Sequence, residues 1–447
     1  MKNLKKKEFK RLLANGYGNA LRFLNCCDDP MQYAKIIAEC CTTDTCFDMQ
    51  CEGHRGAYLC DAVMLTGQPE YFADIVMERL SRRHCDHWAS FQMLELLVCI
   101  YYEETDISPK IRNFLQDMYI KEFARCTSKS FSKVPRTHFF EDLCNVLVDD
   151  IDSSYFERIV NDVGGYLLGH PNSDRFSLDW FFARCTDHGK KRSRLKKADK
   201  ACAEIFMKRF DLDYREKHEP PPPPRPAFAE LIAEPAGELS ESENLQRTVN
   251  FRRAAHKADD EELLQLAKLT LSEKDEKEKY RMLCVFEKRP FPLGFEAVRE
   301  MLESGSEKIK VKCAEAMGCF KEKEAEDFLR CNGFLAYVQC AKRLDVPFMT
   351  GYRPELPDKS GEKFDRADFF HILWHNTEGR QDCASRKYEQ LRRYIYRNLN
   401  CTFCREYLVQ LMVRSRDNCN DILRECRFDC NLDLRSYADR VLKRRQK

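Results

Sequence analysis

The chain has 447 residues, enough for about three ordinary domains or one extended array. It contains 17 glycines, about 4% of the residues, against the roughly 7% usual in proteins. Turn-rich sheets and glycine-rich phosphate loops draw on glycine for backbone positions with positive φ, so the composition points to helices. Charged residues are 33% and hydrophobic ones 43%, which supports a sizeable core, and the net charge of +2 excludes a uniform polycation.

The first element in chain order is a helix opened by Asp29, Pro30 and Gln32, with Tyr33, Ile36, Ile37 and Cys40 on one stripe. A helical hairpin follows. Its first arm carries Tyr58, Leu59, Val63 and Met64, its turn is Thr66-Gly67-Gln68-Pro69, and its second arm carries Phe72, Ile75, Val76 and Leu80. Trp88, Phe91, Leu94, Leu97, Val98 and Tyr101 predict the next core stripe. Ser108-Pro109 starts a helix with Ile111, Leu115 and Met118. Further helices are predicted over 138–149, 155–168, 175–185 and 196–211, and no strand alternation is found.

Residues 218–227 read HEPPPPPRPA, which forbids a helix and favours a stiff polyproline spacer. It reads as a plain linker, or else as a docking motif for a proline-reading partner. The chain therefore divides into an N-terminal helical block (1–217), a Pro-rich and polar linker (218–243) and a C-terminal helical block (244–447).

In the second block, Asp259 or Asp260 can cap a helix with Leu263, Leu266 and Ala267. Ser272 and Asp275 suggest a capping box before Tyr280, Leu283 and Phe286. Phe295, Val298 and Leu302 mark a helix ending near Ser304-Gly305, and Ser306 precedes Ile309, Cys313, Met317 and Phe320. These pairs recur at about 34 residues, a two-helix period in which stacked hairpins bury one another's apolar faces.

The stretch SEKIKVKCAEAMGCFKEKEAEDFL (306–329) resembles a HEAT-like repeat. Ile309-Lys310 or Val311-Lys312, then Ala314, then Ala316-Met317-Gly318, then the acidic start at Glu322 to Ala325 occupy the family's positions. Lys replaces the more usual Arg, and Met replaces Leu. A second echo lies at Asp433-Leu434-Arg435 and Ala438, and DMQCEGHRGAYL (48–59) also resembles helical-repeat proteins. The resemblance implies an all-α solenoid with a concave partner-binding face. It also implies an alternative, because one HEAT-like family excises alkylated bases from DNA, using a Trp and an acid. Asp179-Trp180 is the adjacent pair of that type.

Twenty-four cysteines without an apolar leader segment suggest a reduced, cytoplasmic protein. Cys40, Cys60, Cys99, Cys144, Cys284 and Cys313 fall in apolar runs and are expected to fill core space. Cys401-Thr-Phe-Cys404 is a CxxC pair followed by Cys419, Cys426 and Cys430; core packing is the plain expectation, with zinc and redox roles as alternatives. Cys46, Cys51, His54 and Cys60, with His84, Cys85 and His87 downstream, fit no tight zinc knuckle. His371-Ile-Leu-Trp-His375 lacks the glutamate of a zinc protease and reads as a helix-surface or core pair. No cofactor and no catalytic residue is expected, since no GxSxG, GxxxxGK[ST] or GxGxxG occurs.

Two basic segments remain. Lys190, Lys191, Arg192, Arg194, Lys196 and Lys197 form the candidate phosphate- or partner-binding patch, and residues 380–447 hold 17 basic and nine acidic residues. The expected function is a non-enzymatic scaffold binding a protein or peptide. Nucleic-acid binding is the alternative, and no membrane association is expected because no window approaches the ~20 apolar residues of a span.

Overall fold

Local chemistry sets the helix ends. In the computed structural model, Asp29 accepts from the backbone N–H of Met31 at 3.1 Å, and Pro30 opens a 3-10 turn, Pro30–Tyr33. The Gln32 amide donates back to the Asp29 carbonyl at 2.9 Å, so the predicted start is built as the side chains allow. The structure describes residues 4–47, 55–82, 87–128, 137–173, 175–176, 178, 195–218, 231, 241–256, 258–332, 370–371, 373–375, 377 and 385–446. These are all-helical in their regular structure, with no strand among the described residues.

The first unit comprises residues 1–220, 401–406 and 419–447. Its helices are α1 (Lys6–Ala14), α2 (Gly18–Asn25), α3 (Ala34–Thr42), α4 (Arg55–Met64), α5 (Pro69–Ser81), α6 (His87–Tyr102) and α7 (Ser108–Thr127). Then come α8 (Thr137–Val146), α9 (Tyr155–Gly169) and α10 (Lys200–His218). The predicted hairpin is α4 and α5. Gly67 turns the chain with φ of 68° and Pro69 occupies the first helical turn. Tyr58, Leu59, Val63, Phe72, Val76 and Leu80 are all buried. At about 1.5–3 kcal/mol for each fully buried large apolar side chain, this stripe supplies the driving force that helix propensity lacks. Helix α6 packs against α4, α5, α7 and α8, so residues beyond the predicted stripe (Met93, Leu96 and Ile100) are also buried. Trp88, expected in that stripe, is instead exposed near the helix start. Helix α8 passes into a π-helical turn, Leu147–Ile151.

The second unit comprises residues 221–400 and 407–418. It contains α11 (Glu241–Ala255), α12 (Asp260–Ser272), α13 (Glu276–Leu283), α14 (Phe295–Ser304), α15 (Glu307–Met317), α16 (Lys323–Cys331) and α17 (Glu389–Asn398). Asp259 and Glu262 form a full capping box at α12. Ser272 does not cap the next helix: its hydroxyl donates back to the carbonyls of Lys268 and Leu269, and Asp275 alone caps α13 through the Glu278 N–H. Helix α14 packs on α15, α13 on both α12 and α15, and α15 on α16. Helix α18 (Thr402–Arg414) contributes residues 402–406 to the first unit and the rest to the second. The first unit is completed by α19 (Asn420–Cys426) and α20 (Leu432–Arg445). The proline run and the predicted helix 175–185 lie outside the described residues, apart from 175–176 and 178 of the latter.

Candidate functional site

Of the predicted basic patch, Lys196 and Lys197 are exposed in the turn before α10, while Lys190, Lys191, Arg192 and Arg194 lie outside the described residues. The turn is fastened to α9 by the Asp199 N–H, which donates to the Asn161 side chain at 2.8 Å. Asp199 in turn accepts from the Cys202 N–H at 3.0 Å, and this bond holds its carboxyl below the usual range. Asp179-Trp180 also lies outside the described residues, as do Cys51, His54, His84 and Cys85.

Several ion pairs tie separate helical elements together. In the second unit, the Lys312 ammonium lies 2.7 Å from Glu287 Oε1 and 2.7 Å from Glu315 Oε2, and 5.5 Å from the centre of the Tyr280 ring. Arg252 also pairs with Glu287. Burial alone would lower the Lys312 pKa, but Glu315 and Glu287 outweigh it and raise the value. The two carboxylates diverge. Burial raises Glu315, whereas Lys312 and Arg252 overcome the same burial at Glu287 and lower it. Elsewhere in the second unit, Arg392 makes a two-pronged ion pair with Asp417, at 2.7 and 2.6 Å, with both side chains buried.

The first unit has its own buried charge cluster where the early and late parts of the chain meet. Arg405 donates to both Asp429 oxygens at 3.2 Å and to the Gly16 carbonyl at 3.2 Å. Its guanidinium lies 4.2 Å from the centre of the Tyr17 ring. The Cys430 N–H donates to the same Gly16 carbonyl at 3.0 Å, and the Tyr58 hydroxyl donates to the Tyr17 carbonyl at 2.8 Å. Burial pushes the Tyr17 phenol up to about 12, against the pull of Arg405 and Arg11. No local pattern identifies this cluster, since Gly16 and Arg405 are hundreds of residues apart.

The cysteines sort by environment. Cys40, Cys60, Cys144, Cys284 and Cys313 are buried, and Cys99 is half-buried. Burial pushes the thiols of Cys40, Cys99 and Cys313 up to about 12 and that of Cys284 to about 11. They are thiols, not thiolates, at neutral pH, which suits packing and not nucleophilic work. Cys426 ends α19, but Cys430 falls in the link before α20, so the two do not share one helical run.

Two donor pairs have a different geometry. In the second unit, where His371 and His375 are both helical, their Nε2 atoms are 3.0 Å apart. In the first unit, Cys401 immediately precedes α18, and the Cys404 N–H donates to the Cys401 sulfur at 3.3 Å, with both thiols buried.

Compared with protein-family models, with curated proteins and with solved structures, the chain finds no match in any of the three. No helix among the described residues is long and apolar enough to cross a membrane.

Proposed function

We propose that the chain is a non-enzymatic, cytoplasmic scaffold of HEAT-like helical hairpins that binds a protein or peptide partner. The observation carrying this reading is a set of large apolar side chains exposed on helices of the first unit. Tyr71 on α5 is 47% exposed, Tyr102 on α6 57%, Ile120 on α7 48% and Leu168 on α9 51%. Single exposed apolar residues are ordinary, but their recurrence on helix after helix supplies contact area of the kind that tyrosine-rich interfaces use. The full-length chain is expected to recover a stoichiometric partner from native lysate, and Tyr102→Ser with Ile120→Ser is expected to abolish recovery while the helical circular dichroism is unchanged. Recovery of no stoichiometric partner would count against the reading.

Nucleic-acid binding, including the branch resembling alkylpurine DNA glycosylases, is favoured by one separate observation. Lys196 and Lys197 are exposed and followed by the exposed Lys200 at the first turn of α10. Phosphate contacts would make binding steeply salt-dependent. A shift assay with duplex DNA and RNA at low salt tests it, and absence of binding there would end it.

A further inference from the structure

Helix α20 presents one continuous ridge to solvent. Leu434, Ala438 and Val441 are buried beneath it, while Leu432, Ser436, Arg440 and Arg444, each one helical turn from the next, are exposed. Lys443, beside Arg440, is exposed too. The helix is fixed at several points of the first unit. The Asn431 side chain caps α20 through the Leu434 N–H at 3.0 Å and reaches Glu406 Oε2 on α18 at 3.2 Å. Arg435 pairs with Asp61 of α4 at 2.8 Å.

The two ends of the ridge differ in chemistry. At its start Leu432 is 42% exposed, and so is Phe403, on the part of α18 to which Asn431 is tied. At its other end stand Arg440, Lys443 and Arg444, with no acid after Asp439. Helix α19 adds a fourth base. Its Asn420 and Arg427 reach across to Arg445 and Asp439, and Arg424 lies on the same α19 stripe, exposed. Among the described residues, the side chains of Arg424, Arg440, Lys443 and Arg444 make no hydrogen bond or ion pair. The helix dipole favours bases in the last turn of α20, but it does not set Arg424 alongside them.

We propose that this ridge docks an acidic peptide segment of a partner protein. The segment lays an aromatic or aliphatic end on Phe403 and Leu432 and its carboxylates on Arg424, Arg440, Lys443 and Arg444. From Leu432 to Arg444 the ridge runs about 18 Å at 1.5 Å per helical residue, the reach of about five or six extended residues. A phosphate chain fits less well, because the bases are confined to one end. At the other end Asp433 is exposed beside Leu432 and would repel phosphate. The one-sided charge orients the segment, and the apolar end supplies contact area. The proposal rests on the scaffold reading and places the partner on residues other than Tyr102 and Ile120.

The test follows the fluorescence anisotropy of a labelled synthetic hexapeptide, two phenylalanines and four glutamates in either chain order, titrated with the full-length protein. At least one order is expected to bind. Arg440→Glu with Arg444→Glu, and separately Phe403→Ser with Leu432→Ser, should each weaken it about tenfold. Tyr102→Ser with Ile120→Ser should leave it unchanged. Circular dichroism checks folding, and if a paired variant misfolds, comparison with hexaglutamate on the unaltered protein still decides. Failure of both orders to bind, equal binding of hexaglutamate, or binding of a single-stranded oligonucleotide that the charge reversal abolishes would each overturn the proposal. Its failure is separable from that of the scaffold reading. A lysate partner lost with Tyr102→Ser and Ile120→Ser but kept with Arg440→Glu and Arg444→Glu would sustain the scaffold and overturn this docking ridge.

Discussion

Arg405 and Asp429 form an ion pair with both side chains wholly out of solvent, and Arg405 uses a further donor on the Gly16 carbonyl. One buried pair thus joins a late helix, the link before the last helix and the first helical hairpin of the unit. Removing one partner strands the other charge. Asp429→Ala is expected to cost about 3–5 kcal/mol, while Arg405→Leu with Asp429→Leu costs less than the two single changes added together. Urea unfolding of the three variants measures this, and strict additivity would show that the pair is not coupled.

The two glycines Gly18 and Gly67 should respond very differently to alanine. A Cβ at Gly18 would lie 2.0 Å from the Glu425 carbonyl oxygen, a backbone atom that cannot swing aside. At Gly67 nothing lies within 4 Å, and only the φ of +68° opposes the change. Gly67→Ala is expected to cost about 1–2 kcal/mol, and Gly18→Ala distinctly more. Thermal unfolding of the two variants side by side checks the order.

Alkaline pH should weaken the fold well before the ordinary lysine range is passed. Burial raises the thiols of Cys40, Cys126 and Cys313 from 9.0 to about 12, and the Tyr17 phenol from 10.0 to about 12. A raised acid is protonated longer in the folded than in the unfolded chain. Its contribution is complete below pH 9 for the thiols and is lost as pH climbs towards 12. Each such group costs up to about 1.4 kcal/mol per pH unit in that window. Unfolding midpoints between pH 7 and pH 11 are expected to fall from about pH 9 upward, and Cys313→Ala should flatten part of the slope.

Asn145 on α8 is buried, and neither its amide nitrogen nor its oxygen has a hydrogen-bond partner among the described residues. An unmet buried amide costs about 1–3 kcal/mol, so Asn145→Leu is expected to leave stability unchanged or raise it. Chemical denaturation decides. A loss of 2 kcal/mol or more would mean that the amide is engaged in the folded protein.

What could be read in advance followed chain distance. Asp259 and Glu262 are three residues apart, and their capping box is built as residue chemistry demands. Ser272 shows the limit of that reasoning, because its hydroxyl had two equally local choices and took the preceding carbonyls. Trp88 was assigned to the core by spacing, yet it stands near the start of a helix where the packing leaves it exposed.

Helical content, most helix starts and the apolar stripes of α4, α5 and α7 were written into the residue order, because a helix is closed by bonds between near neighbours. Which charges would be buried was not. Arg405 meets Asp429 and Gly16 only after the helices have packed, and Lys312 gains its two carboxylates from Glu287, in the turn beyond α13, and from Glu315 on its own helix. The same holds for cysteine, whose abundance was plain from composition. Desolvation by surrounding helices, a tertiary effect, makes Cys40 and Cys313 inert thiols.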